Sequence, residues 1–264
     1  MTDADPEHTP GVSTTRRILM QAAPAGFVLA LVCLAGAIAS GLGYRSNWWS
    51  LNTALTVLGA SAVAAVFASV LCFVGLAANL SRRRGYLACS VIGLFLGIMT
   101  FGYPLRELRL SYSVPPIHDI TTDTVHPPQF KAVLKLRKNA PDSTTYGGES
   151  VARLQEKAYP YIRPALYNAP PDEVFTQALK AAHSMKWKID AVDRKAGRIE
   201  ATATTFWFGF KDDVVVRIKP SGEGGTRVDV RSESRVGRSD LGANAKRIQT
   251  YLSRLTERMT RKQE

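Results

Sequence analysis

The chain has 264 residues, with 34 Lys and Arg against 22 Asp and Glu, and a formal net charge of +12. That length leaves room for a membrane bundle and one further domain of ordinary size. Its three cysteines, Cys33, Cys72 and Cys89, all fall in apolar runs, which excludes a thiolate metal site and leaves the polar half without disulfide support.

Three runs without Lys, Arg, Asp or Glu dominate the first hundred residues: 20–42, 51–80 and 86–103. One helical crossing of a bilayer needs about 20 apolar residues, so each run is long enough or nearly so. Arg16 and Arg17 precede the first run, and Arg82, Arg83 and Arg84 join the second to the third. The loop from Tyr44 to Ser50 carries only Arg45, and its Trp48 and Trp49 suit an interfacial aromatic belt. Positively charged short loops stay cytoplasmic. The expected topology therefore has the N-terminus and the arginine turn inside and everything after Pro104 outside, with the three-arginine turn outweighing Arg106 and Arg109. This describes a multi-pass protein of a bacterial inner membrane with a periplasmic C-terminal domain. Arg16-Arg17 with the later Ala37-Ile38-Ala39 also resembles a cleavable signal peptide, which leaves the outer domain on the same side. The runs hold no charged residue at depth, which argues against a transporter or pump and for an anchor. Gly93-x-x-x-Gly97, Gly36-x-x-x-Ser40 and Ala60-x-x-x-Ala64 allow close helix packing or a homo-oligomer through these helices.

The remaining sequence is polar and carries +9 of the net charge. A basic domain attracts nucleic acid, anionic lipid or an acidic partner, and a periplasmic location removes nucleic acid. Residues 112–130 are rich in Pro, Thr and Asp and read as an extended strap. A loop follows, then a short helix over 149–158 stopped by Pro160. Residues 162–167 form a short strand. Pro170-Pro171-Asp172-Glu173 open a helix whose apolar face is Val174, Phe175, Ala178, Leu179 and Ala182. Four alternating segments come next. Trp187, Ile189 and Ala191 share a face of the first, and Ile199, Ala201 and Ala203 a face of the second. Val214, Val216 and Ile218 mark the third, Val228 and Val230 the fourth, with hairpin turns at 193–197 and 220–225. Leu241, Ala245, Ile248, Leu252, Leu255 and Met259 give an amphipathic last helix capped by Ser239 or Asp240. The expected fold is three membrane helices plus an α+β domain. Its antiparallel sheet and two helices run strand, helix, four strands, helix, like helix-grip or TATA-binding-protein-like arrangements in element order. The expected divisions are a cytoplasmic tail over 1–19, the anchor over 20–103, strap and short helix over 104–160, and the α+β domain over 161–264.

Three motifs in this half carry a family resemblance. They are Val114-Pro-Pro-Ile-His-Asp-Ile-Thr-Thr-Asp-Thr, Glu200-Ala-Thr-Ala-Thr-Thr-Phe-Trp-Phe-Gly-Phe-Lys-Asp-Asp and Arg231-Ser-Glu-Ser-Arg-Val-Gly-Arg-Ser-Asp-Leu-Gly-Ala-Asn. Together they resemble the bacterial and plastid family catalogued as domain of unknown function 1499, over residues 113 to 255. The resemblance implies no activity, so no catalytic residue follows from it.

Three clusters bear chemistry. Arg231, Arg235 and Arg238 approach the start of the last helix, where Ser239 and Asn244 also lie. Helix N-termini and bidentate arginines suit phosphate or carboxylate, and the same arginines equally suit pairing with Asp119, Asp229, Glu233 or Asp240. Phe206, Trp207, Phe208 and Phe210 sit at a hairpin tip; they fill the core or, if exposed, meet a membrane interface or an apolar ligand. His118, Asp119 and Asp123 with His126 have metal-like or hydrolase-like types, but an extended strap lacks the spacing that makes such a signal strong, and turn or arginine pairing is the alternative. No catalytic motif is complete and no cofactor is expected. The expected partners are the membrane and an anionic lipid or envelope protein.

Overall fold

The computed structural model describes residues 14–79, 84–137, 140–222 and 224–263. It contains two compact units, Met1–Glu107 and Leu108–Glu264. Residues 81–83 of the arginine turn lie outside the described residues, as do the side chains of Arg16 and Arg17.

The first unit is built from α1 (Thr14–Arg45), α2 (Leu51–Asn79) and most of α3 (Arg84–Ser113). All three are long and apolar enough to cross a membrane. Helix α1 runs without a break through Ala37-Ile38-Ala39. Small residues bring the helices together. Ser90, Gly93, Gly97 and Thr100 are the buried face of α3, and a Cβ at Gly97 would lie 2.3 Å from Ser69 Oγ of α2. The GxxxG spacing thus seals α3 against α2 within one chain. Helix α3 continues past the apolar run, through Pro104, to Ser113. The segment after Pro104 is therefore helical where a strap was expected, because residues 105–110 alternate Leu with Arg and Glu, all strong helix formers.

The second unit is an antiparallel sheet of six strands in the order β1-β6-β5-β4-β3, with β2 also on β6. Strand β1 is Asp119–Thr121, β2 Ala165–Tyr167, β3 Lys188–Asp193, β4 Arg198–Thr204, β5 Lys211–Ser221 and β6 Gly225–Ser234. The helices are α4 (Gly148–Ala158), α5 (Pro171–Ser184) and α6 (Ala243–Gln263), with a 3-10 turn at Val133–Arg137. Strand β1 is the addition: three residues of the strap pair with β6 at Asp119↔Glu233, Ile120↔Ser232 and Thr121↔Arg231. Three residues give no readable alternation, so the sequence hid it. The Gln155 amide of α4 extends this ladder, accepting from Thr121 N–H at 2.9 Å and donating to Thr121 O at 2.7 Å.

One face of the sheet carries the apolar core. Ile199, Ala201, Ala203, Val214, Val216, Ile218, Val228 and Val230 meet Val174, Phe175, Ala178 and Ala182 of α5 and Ala245, Ile248, Leu255 and Met259 of α6. Tyr251 stacks on Trp187 at 5.0 Å and donates to Ala178 O at 3.0 Å. Two expectations change here. A bulge at Asp190 sets Ile189 opposite Ala201 but Ala191 opposite Glu200, so Ala191 leaves the face it was expected to share with Trp187 and Ile189. Leu241 precedes α6, with φ 53°, and is not part of the helix. Asp240 caps α6, accepting from Gly242 N–H at 2.9 Å and Asn244 N–H at 2.7 Å.

At the β3–β4 turn, Gly197 has φ 60° and a Cβ there would lie 2.1 Å from Ile218 O. Left-handed backbone alone costs a residue with a Cβ about 1–2 kcal/mol. Gly197→Ala is therefore expected to lower the unfolding free energy of the second unit by more than that penalty alone. Trp187 fluorescence of the full-length protein in urea checks it.

Candidate functional site

The other face of the sheet is polar, and the strap lies across it. Strands β4, β5 and β6 present Arg198, Glu200, Thr202, Asp213, Arg217, Arg227, Asp229, Arg231, Glu233 and Arg235 by simple alternation. Seven of the ten are buried, Arg198, Arg217 and Arg227 are half-buried, and buried charges must be paired. The strap supplies or fixes the partners. Arg231, with no exposed surface, holds Asp119 bidentately, Nε to Oδ1 at 2.9 Å and Nη2 to Oδ2 at 2.7 Å. It also donates to Thr144 O and lies over the Phe130 ring at 4.8 Å. Arg137, from the 3-10 turn, bridges Asp213 at 2.8 Å and Glu233 at 3.2 Å. Arg235 grips Asp213 at 2.6 Å and Thr202 at 3.1 Å. The Glu200 carboxylate accepts from the Lys131 and Val133 N–H groups, which pins the start of the 3-10 turn. Phe130, Val133 and Val215 form a small apolar cluster within this polar layer.

The sequence-derived candidates divide into separate places. Arg231 and Arg235 spend their donors on protein carboxylates, the pairing alternative stated for them. Asp119 sits on Arg231, whereas Asp123 is held by Arg217 at 2.9 Å and Arg227 at 3.0 Å, so the two belong to different clusters. Asp123 lies below the usual carboxylate range: burial raises it, but the His126 N–H, Arg227 and Arg217 together outweigh that. Among the described residues, no group of three or more His, Cys, Asp or Glu is placed to hold a metal. Asn244 lies on the helix side and bonds His118 O at 2.9 Å, Ser234 Oγ at 3.0 Å and Ser232 Oγ at 2.7 Å. Ser239 accepts from Leu241 N–H at 3.3 Å in the turn before α6. Of the aromatics at the β4–β5 tip, Phe208 is buried, Trp207 and Phe210 are half-buried, and Phe206 is exposed.

A cleft of about 270 Å³ gathers what remains. Its lining includes Ile117, His118 and Asp119 at the entry to β1, Ser143 and Thr145 before α4, Glu233 at the end of β6, and Arg238. His118 Nδ1 stands 3.7 Å from Asp142 Oδ2, and both atoms are buried with no hydrogen-bond partner among the described residues. Burial pushes the Glu233 carboxyl up to about 8, with Asp119 adding to the shift and Arg137 and Arg231 opposing it. The shift favours the protonated form, in which the carboxyl can donate. Arg238 is exposed and makes no ion pair among the described residues, unlike the arginines beneath it. Glu233 and Asp142 are the functional candidates that sequence reasoning missed. Glu233 stood out only as a partner for arginine, and Asp142 lies in a loop without pattern. A shallower depression of about 470 Å³ between α5 and α6 is lined by Arg254, Arg258, Arg261 and Lys262. Lys262 there already pairs with Glu173 at 2.9 Å, and Arg254 is bonded to Ser184.

The sequence model of the family described as Protein of unknown function (DUF1499) matches residues 119–255. The chain belongs to this family. The DUF1499 region starts at Asp119 in β1 and ends at Leu255 in α6, so both members of the Arg231–Asp119 pair fall within it. No curated protein matches the chain. Among solved structures, TTHA0849 from Thermus thermophilus is 14% identical, with a TM-score of 0.25, covering 38% of this chain and 97% of its own. That likeness is too slight to bear on fold or ligand.

Two outcomes follow for the DUF1499 region. Asp119→Ala leaves Arg231 buried without its bidentate carboxylate and is expected to cost about 3–5 kcal/mol. The double variant Asp119→Leu with Arg231→Met is expected to lose less, as read from urea denaturation of the full-length protein. Glu233 binds its proton more tightly when folded than when unfolded. Its contribution is therefore complete below the ordinary carboxylate range, declines above it, and is gone once pH passes about 8. The urea midpoint is expected to fall between about pH 5 and pH 8, and to fall less in Glu233→Gln.

Proposed function

We propose that this chain is a membrane-anchored binding module whose second unit holds an anionic group, a phosphate or a carboxylate, in the His118–Arg238 cleft. The three apolar helices anchor it in a bacterial inner membrane, with the N-terminus cytoplasmic and the DUF1499 region periplasmic. The distribution of basic residues supports that orientation, since Arg45 alone marks the loop between α1 and α2. Strand–helix–four strands–helix order supports placing the second unit with helix-grip or TATA-binding-protein-like folds, with β1 added from the strap.

The observation that carries the reading is Arg238. It opens on the cleft without a carboxylate of its own, beside a Glu233 that can donate in its favoured, protonated form. Asp119 also lines the cleft, but its charge is matched by Arg231. An anion entering here meets a guanidinium fork and a carboxyl proton, both of which favour it. The saturation of Arg231 and Arg235 favours one other reading, a purely structural envelope scaffold in which the cleft holds only water.

Native mass spectrometry separates them. Full-length protein released from phosphatidylcholine nanodiscs containing phosphatidylglycerol, or supplied with inorganic phosphate or acetate, is expected to keep an anionic adduct. The adduct identifies lipid headgroup or free anion. It is expected to vanish in Arg238→Ala, whose melting is unchanged, and to weaken as pH rises through about 8, where Glu233 loses its proton. An adduct that survives Arg238→Ala removes the cleft as its site, and no adduct with any probe leaves the scaffold reading.

A further inference from the structure

We propose that residues 205–210, the tip between β4 and β5, form a foot that seats in the interfacial layer of the bilayer crossed by the chain's own helices. The contact is independent of the anion cleft. Phe206 is 94% exposed, although burying a Phe side chain is worth about 1.5–3 kcal/mol. This exposure is built rather than incidental. Thr205 N–H donates to Phe210 O at 2.9 Å, and Phe210 N–H donates to Thr205 Oγ1 at 2.9 Å, closing the tip. Phe208 stacks on Phe210 at 5.2 Å and meets Trp207 edge-on at 5.1 Å. Phe206 is thus presented from a hydrogen-bonded aromatic tip, and exposed Lys211 follows Phe210 in the chain. Trp and Phe with a neighbouring cation suit the headgroup boundary, where apolar rings and ammonium groups both find partners.

Connectivity within the second unit places the foot. Lys211 O accepts from Arg235 N–H at 3.0 Å, His118 O from Ser234 N–H at 3.0 Å, and Ile117 O from Asp240 N–H at 3.3 Å. The tip, the end of β6 and the entry to β1 therefore share one end of the sheet. Helix α3 ends at Ser113, and an extended chain from there to His118 spans at most about 18 Å. Within the second unit, the chain from Ser113 enters the sheet through His118 at the end where the aromatics emerge. The turns at the other end are chemically different: Asp193, Arg194 and Lys195 in one, Ser221, Gly222 and Gly224 in the other. The turn at the end where the chain enters β1 is aromatic and the turns at the other end are polar, which is the asymmetry a bilayer partner requires.

Full-length protein in nanodiscs of acyl-brominated or plain phosphatidylcholine tests the foot. The four tryptophans are Trp48, Trp49, Trp187 and Trp207, so the Trp207 component is the difference between the protein and its Trp207→Phe variant. Brominated chains are expected to remove most of that component. Phe206→Glu, at an exposed site, is expected to restore it to the plain-lipid level without changing the thermal melt. A Trp207 component equal in both lipids places the tip in water or against another protein and overturns the proposal. So does quenching that persists in Phe206→Glu.

Discussion

Arg231 sits in the centre of β6 with no surface of its own, and everything laid over that face of the sheet answers to it. A guanidinium in such a place must find fixed acceptors. It finds Asp119 on the neighbouring strand and Thr144 O on the far side of the strap. The strap is therefore bound to the sheet at its beginning and near its end by one side chain, and Arg137 and Glu200 fasten the middle. Arg137, Arg231 and Arg235 donate to Asp119, Asp213 and Glu233, and these hydrogen bonds make a closed set. A slip of β1 by one residue would turn Asp119 to the helix face and open it. The ion pairs act here as a device for register as much as for stability.

The same arrangement explains why Glu233 favours its protonated form. It lies between two arginines that are each committed to another carboxylate, and it has little water to stabilise its charge. Arg238, one turn beyond the strand, stands outside the closed set. The cleft at the end of β6 is where the bookkeeping of charge in the sheet is left open, and that is why the proposed anion is placed there.

Much of the fold was legible in the sequence because period carries it. Val214, Val216 and Ile218, or Val174, Phe175 and Ala178, reveal their elements by spacing alone, and three uncharged runs reveal the helices of the first unit. What stayed hidden depends on partners far away in sequence. Strand β1 exists because β6 is there to pair with it, and the bulge at Asp190 is held by Thr202, whose hydroxyl donates to the Asp190 carboxylate at 2.6 Å. The arginine motif was visible as chemistry, but its sorting into saturated and open members was not. That sorting is decided by Asp119, Asp213 and Arg137, from three separate segments. The aromatic tip was visible too, yet only the hydrogen bonds of the sheet show which of its rings stay out.

Both margins of the sheet are finished in ways that matter for a protein confined to a plane. On one side, the Gln155 amide fills the hydrogen-bonding positions of β1 that another chain would otherwise use. On the other, β3 is kinked by its bulge and carries exposed Lys188. Chains tethered to one surface meet edge to edge far more often than chains free in solution. Margins guarded in this way disfavour the addition of a strand from a second copy.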